Sequence, residues 1–178
     1  EEILAPTIME LRRRGITYRG VLYAGLMLTS SGPMVIEFNC RFGDPETEVV
    51  LPMMKEDLLP YLATCANGTL GSLPAPSWHE GACVSVVLAS GGYPLGYTKG
   101  YEISGLDQLP NDMVGFHAGT SLDDDQRVVT SGGRVLAVTA RGESMAAARD
   151  RAYQAAEMVT FQDRHFRHDI ALREIAST

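Results

Sequence analysis

The sequence predicts an α+β protein, and three observations carry that expectation. Segments of helical spacing alternate with segments of period two over residues 1–68. A run of glycine, serine and the two prolines Pro74 and Pro76 interrupts the pattern at 69–80, which is the expected linker. Short strand-like runs separated by turn residues then fill most of 81–178, with one alanine-rich helical segment near the end.

Taken in order, Pro6 suits a first helical turn, Ile8 and Leu11 lie three apart, and Gly15 is a natural stop. A helix is therefore expected over 6–14. Strands are expected at 18–28 and 33–39, joined through Thr29-Ser-Ser-Gly32 as a β-hairpin with a loop slightly longer than the tightest kind. Gly43-Asp44-Pro45-Glu46 reads as a helix start. Asp44 can cap free N–H groups, Pro45 sits where its missing N–H costs nothing, and Glu46 and Glu48 favour the positive end. Pro52 should kink or end that helix, and a further one is expected over 57–66, closing at Asn67-Gly68.

Past the linker, 82–89 is a strong strand run that Ser90-Gly-Gly-Tyr-Pro94 ends sharply. Shorter strands are expected at 99–103, 114–117, 126–130 and 134–140, in the rhythm of a small antiparallel barrel or sandwich. Ser144 should cap a helix to about residue 159, with Met145, Ala148, Ala152, Ala155 and Val159 along one face.

A net charge of −7 argues against a general binder of nucleic acid or anionic membranes, which needs clustered Lys and Arg. It leaves room for a phosphate-bearing small substrate held in one local positive pocket. No apolar run approaches the roughly 20 residues a membrane span requires, and the opening residues do not read as a leader. Cys40, Cys65 and Cys83 lack zinc-like spacing and read as reduced thiols of a cytoplasmic protein, with Cys40 a small buried hydrophobe. The start at Glu1-Glu2-Ile3, without Met, is what a piece of a longer chain would show.

The chemistry concentrates after the first hairpin. On a strand over 33–39, side chains alternate, so Met34, Ile36 and Phe38 share a core-directed face while Val35, Glu37 and Asn39 share the other. A carboxylate and an amide carbonyl two residues apart suit a hard cation such as Mg²⁺ (or Mn²⁺), which takes few protein ligands and completes its shell with water and nucleotide phosphates. The Glu-x-Asn pattern alone equally fits an amphipathic edge strand with a polar outer face. Arg41 continues the alternation and would place a guanidinium beside the pair, suited to phosphate oxygens. Gly43-Asp44-Pro45 then offers a helix N-terminus to an anion, although Asp44 also fits an ordinary cap.

Two stretches, Tyr18-Arg-Gly-Val-Leu-Tyr-Ala-Gly25 and Glu37-Phe-Asn-Cys-Arg-Phe-Gly-Asp-Pro-Glu-Thr47, resemble the end of the ATP-grasp module in the phosphoribosylamine–glycine ligase family. The likeness continues through Ser90-Gly-Gly-Tyr-Pro94, Tyr97-Thr-Lys-Gly100, Phe116-His-Ala-Gly-Thr120, the run from Val129 to Ala140, and Phe166-Arg-His-Asp-Ile170. The glutamate–asparagine pair is shared by many ATP-grasp enzymes. Its combination with the Gly-Gly-Tyr-Pro and His-Ala-Gly-Thr blocks is specific to this ligase family.

The resemblance implies that 1–68 is the C-terminal part of an ATP-grasp module and 81–178 the ligase's C-terminal β-rich domain. It implies Glu37 and Asn39 as metal and nucleotide-phosphate ligands, Arg41 as the catalytic arginine at the phosphoryl centre, and Asp44, Pro45 and Glu46 beside the substrates. The implied reaction joins glycine to 5-phosphoribosylamine at the expense of ATP, in purine biosynthesis. The family's N-terminal domain and most of its nucleotide pocket should then lie upstream, so these residues alone are expected to bind ATP weakly and to turn nothing over. Glu48 stands where the family usually has an amide and is left out of the site. The alternatives are a sister ATP-grasp carboxylase or ligase, or a module that performs no chemistry.

Overall fold

A computed structural model describes residues 2–176. They fall into two compact units, Glu1–Thr47 with Lys55–Ser77, and Glu48–Met54 with Trp78–Thr178.

In the first unit, helix α1 (Leu4–Arg13) opens two residues before Pro6, whose missing N–H falls in the first turn. Arg12 and Arg13 lie in its last turn, where cations complement the helix dipole. Strands β1 (Tyr23–Thr29) and β2 (Gly32–Asn39) form the expected hairpin with two differences. Thr29 pairs directly with Gly32, so the loop is the tight two-residue kind. The first strand begins at Tyr23, because Gly20 takes φ +146° and the Tyr18 hydroxyl turns back to donate to the Val21 carbonyl at 2.7 Å.

The ladder shifts register between Gly25 and Leu26. Gly25 faces Glu37 while Leu26 faces Val35, leaving Ile36 as the extra residue of a bulge. Met34, Ile36 and Phe38 were expected to enter a core, but they are exposed, as are Leu26, Met27, Leu28 and Val35 on the same hairpin. Residues 26–29 and 33–38 of the hairpin are exposed, while 23–25, Gly32 and Asn39 are half-buried. Helix α2 (Thr47–Val50) runs into a 3₁₀ turn, Leu51–Met53, that contains Pro52, and from Glu48 to Met54 this stretch belongs to the second unit. Helix α3 (Leu58–Asn67) is capped as its sequence requires. Asp57 accepts from the Leu59 N–H at 2.9 Å, and Gly68 takes the left-handed conformation at φ +75° that a side chain would resist.

The second unit holds the core. Strands β3 (Ala82–Ser90), β4 (Met113–His117), β7 (Arg134–Gly142) and the short β8 (Arg164–His165) form an antiparallel sheet in the order β4-β7-β3-β8. Strands β5 (Thr120–Leu122) and β6 (Val128–Thr130) pair separately. Helix α4 (Met145–Met158) packs on β3 and β7. Ser144 caps it by accepting from the Ala147 N–H at 3.2 Å, and Ala148, Ala152, Ala155 and Ala156 are buried. Those methyl side chains let the helix approach Val86, Leu88, Leu136 and Val138, all fully buried. Gly105 meets the same helix's end so closely that a Cβ there would stand 1.9 Å from the Met158 carbonyl oxygen.

The sheet is open, and among the described residues its edges do not pair with each other, so no closed barrel is formed. Over 99–103 the chain runs antiparallel beside β6, with one bridge, Glu102 to Val129, and backbone hydrogen bonds from the Gly100 N–H to Thr130, the Thr130 N–H to Tyr101 and the Ile103 N–H to Val128, short of a continuous strand. A final short helix, α5 (Leu172–Ala176), ends the described chain.

Candidate functional site

The hairpin brings Glu37 and Asn39 to one face, as alternation requires: the Asn39 side-chain amide donates to Glu37 Oε1 at 2.9 Å. Both lie beyond the bulge, so the extra residue at Ile36 does not separate them. Glycine opposite Glu37 leaves room for the carboxylate, since a Cβ on Gly25 would come to 3.2 Å from the Glu37 Cγ. No group of three or more His, Cys, Asp or Glu able to hold a metal ion occurs among the described residues. The donor set is therefore two oxygens on an open strand. That fits a hard cation finishing its shell with water and phosphate, and does not fit a closed structural zinc site.

Arg41 lies past the end of β2 on a bend, so strand alternation does not place it. Its Nη1 donates to the Phe42 carbonyl at 2.8 Å. The helix start expected at Gly43-Asp44-Pro45 is instead a turn. The Asp44–Pro45 peptide is cis, and α2 opens at Thr47 and runs only four residues. So short a helix aligns too few peptide dipoles to hold an anion at its end. The Thr47 hydroxyl closes the turn by donating to the Gly43 carbonyl at 2.6 Å. Asp44 is exposed, whereas Pro45 and Glu46 are half-buried.

One participant was not anticipated. Tyr23 pairs with Asn39 across the hairpin and shares its face. The Glu46 carboxylate against its hydroxyl, aided by burial and by the Glu37 charge, pushes the Tyr23 phenol above its ordinary pKa, while Arg41 pulls it the other way. Tyr23 thus lies in the local field of Glu46, Glu37 and Arg41. Its signal in the sequence is the register, which can be counted only once the loop length and the bulge are known.

The remaining candidates are structural. His117 Nδ1 lies 2.9 Å from the Thr120 hydroxyl. Lys99 stands over the Tyr97 ring at 5.8 Å. Asp123 accepts from the Arg127 backbone at 2.8 Å and its guanidinium at 2.9 Å, which orders the acidic loop. Cys40 was expected to be buried but is exposed beside the Tyr18 hydroxyl, because it follows the last residue of β2. A cavity of about 410 Å³ near Leu11, Tyr18 and Arg19 does not include Glu37 or Asn39. No helix among the described residues is long and apolar enough to cross a membrane.

The comparisons converge on one family. The model for the phosphoribosylglycinamide synthetase C domain matches residues 83–173, and that for the ATP-grasp (A) domain matches residues 1–47. Phosphoribosylamine–glycine ligase of Phenylobacterium zucineum is 49% identical over 174 residues, covering 97% of this chain and 41% of that protein. The trifunctional purine biosynthetic protein adenosine-3 of Gallus gallus is 48% identical over 178 residues, which cover 18% of it. The crystal structure of phosphoribosylamine–glycine ligase from Thermotoga maritima superposes with a TM-score of 0.78 at 39% identity, over 92% of this chain and 40% of that one. The biotin carboxylase domain of Hydrogenobacter thermophilus 2-oxoglutarate carboxylase, at 14% identity and a TM-score of 0.60, shares the fold alone. The chain spans about 41% of the length of the curated ligases it matches. With its C-domain match covering 83–173 and its ATP-grasp match covering 1–47, the chain belongs to the phosphoribosylglycinamide synthetase family.

Proposed function

We propose that this chain is the metal- and phosphate-handling end of an ATP-dependent ligase that joins glycine to 5-phosphoribosylamine, giving glycinamide ribonucleotide, ADP and phosphate. The observation that carries the reading is the Glu37–Asn39 pair, two oxygen-bearing side chains brought together on one strand face at 2.9 Å. That hairpin lies inside the segment matching the family's ATP-grasp domain. The corresponding division has 1–68 as the C-terminal part of the ATP-grasp module, 69–80 as the linker and 81–178 as the C-terminal domain. The setting is cytoplasmic, in purine biosynthesis.

Glu37 and Asn39 would hold Mg²⁺ (or Mn²⁺), which supplies neutralisation of charge on the transferring phosphoryl group. Arg41 offers a planar guanidinium to the oxygens of the phosphate and acyl phosphate. Asp44, Pro45 and Glu46 form the wall against glycine and phosphoribosylamine. A glycine carboxylate oxygen bonds to the γ-phosphorus, and the bridging P–O bond breaks to release ADP. The amine of phosphoribosylamine then attacks the acyl carbon, the C–O bond to phosphate breaks, and the amine proton passes to solvent. The work left to the protein is positioning and electrostatics, in keeping with a site that holds no nucleophile-and-base pair.

The route makes an isotopic prediction. Glycine labelled with oxygen-18 in its carboxylate should deliver one labelled oxygen to the released phosphate, read by mass spectrometry. Unlabelled phosphate would rule out the acyl-phosphate path. Most of the nucleotide pocket belongs to upstream parts of the same enzyme, so the 178-residue piece alone binds ATP weakly and turns nothing over. Glycine-dependent ADP release from that piece would overturn this.

A further inference from the structure

We propose that a cleft at one end of the β4-β7-β3-β8 sheet is a binding site for the zwitterionic head of a free α-amino acid. The cleft lies wholly within the second unit, and the inference goes beyond the ligase reading without resting on it.

The cleft has a volume of about 260 Å³ and forms where β3 and α4 begin and β7 ends. Its charges are sorted by depth. Arg141 and Arg151 are half-buried, whereas His79, Glu80, Asp112 and Glu143 are exposed. Arg151 is fixed in place, since its Nη1 donates to the Arg141 carbonyl at 2.8 Å and its Nη2 pairs with the Asp112 carboxylate. That pairing, with a smaller contribution from the Arg141 charge, holds the Asp112 carboxyl below its ordinary pKa. The Arg141 guanidinium makes no hydrogen bond or ion pair among the described residues, and neither does the Glu80 or the Glu143 carboxylate. The backbone beneath is closely packed. A Cβ on Gly81 would collide with the Gly142 carbonyl oxygen, and one on Gly142 would collide with the Ala148 backbone nitrogen at the start of α4.

These charges select among ligands. Arg151 and Asp112 neutralise each other, which leaves one half-buried cation beneath two exposed carboxylates. A phosphate would meet Glu80 and Glu143 at the mouth and be repelled. A metal cation would meet the guanidinium groups, and no group of three or more His, Cys, Asp or Glu among the described residues can hold one. An α-amino acid satisfies both ends. Its carboxylate takes the paired N–H donors of Arg141, and the ammonium on the adjacent carbon stays at the mouth with Glu80 and Glu143. The volume leaves room for a side chain as well.

The test is titration of the full-length protein with L-asparagine and L-alanine, neither of which is a substrate of the proposed reaction, followed by calorimetry and by saturation-transfer NMR. Each should bind with a Kd of about 1 mM or tighter. The N-acetyl derivative lacks the ammonium and the methyl ester lacks the carboxylate, so each should bind at least about tenfold more weakly. Arg141→Met should weaken binding of the free amino acids by about tenfold or more, and so should Glu80→Gln combined with Glu143→Gln. Neither change removes a hydrogen bond or ion pair among the described residues, so the midpoint of thermal unfolding should hold in both. No binding of either amino acid by both methods overturns the proposal. Equal binding of the blocked derivatives overturns it too, because the zwitterion would then not be what is recognised. Binding untouched by the substitutions places the ligand elsewhere and overturns it as well. The ligase reading is decided separately, by ADP release with both of its substrates.

Discussion

Glu37→Ala in the full-length protein is expected to lower ATP-dependent turnover by about a thousandfold, or ~4 kcal/mol of transition-state stabilisation. The size follows from the donor set. Glu37 is the only anionic member of a two-oxygen pair, and no third His, Cys, Asp or Glu among the described residues completes a metal cluster with it. Asn39 alone would leave a neutral amide facing the cation, and the transferring phosphoryl charge would lose its counter-ion. Mn²⁺ affinity, read by electron paramagnetic resonance, should fall in parallel with kcat. The fold should not change, because Glu37 is exposed and its strand neighbours are untouched. Turnover within threefold of wild type would show that the cation is held elsewhere.

Leu136→Ala should destabilise the chain by about 2–5 kcal/mol. Leu136 is fully buried on β7, which pairs with both β3 and β4 in the interior of the sheet. It pairs with Leu88, itself fully buried, so the lost atoms leave a void between rigid neighbours instead of an opening to water. At this chain length the midpoint of thermal unfolding should drop by roughly 5–15 °C. Leu28→Ala serves as the control, since Leu28 is 81% exposed and the change should stay within about 0.5 kcal/mol. Equal losses for the two leucines would contradict the placement of the core.

Local chemistry made much of this molecule legible from sequence. Asp57 and Gly68 bracket α3, and Ser144 with the alanine stripe defines α4, because capping and helical periodicity act over a few residues. Alternation on β2 put Glu37 and Asn39 on one face for the same reason. Features set by distant pairing were not legible. The bulge at Ile36, the two-residue loop and the Tyr23–Asn39 register depend on which residue faces which. Strand β8 is two residues long and exists only because Ala89 and Ser90 are there to pair with. Closure of a barrel was inferred from the rhythm of short strands, but rhythm does not say whether edges meet, and here α4 covers β3 and β7 of an open sheet. The exposure of Met34, Ile36 and Phe38 was hidden for a related reason: an apolar strand face announces that something covers it, not where the cover lies.

The central claim is that the hairpin site belongs to an enzyme that activates glycine for attack by phosphoribosylamine. The most direct test is ADP release by the full-length protein in ATP and Mg²⁺, with glycine and phosphoribosylamine added singly and together. Release at the full rate only when both are present is the predicted result. Release that is indifferent to glycine, or none under any combination, would contradict it.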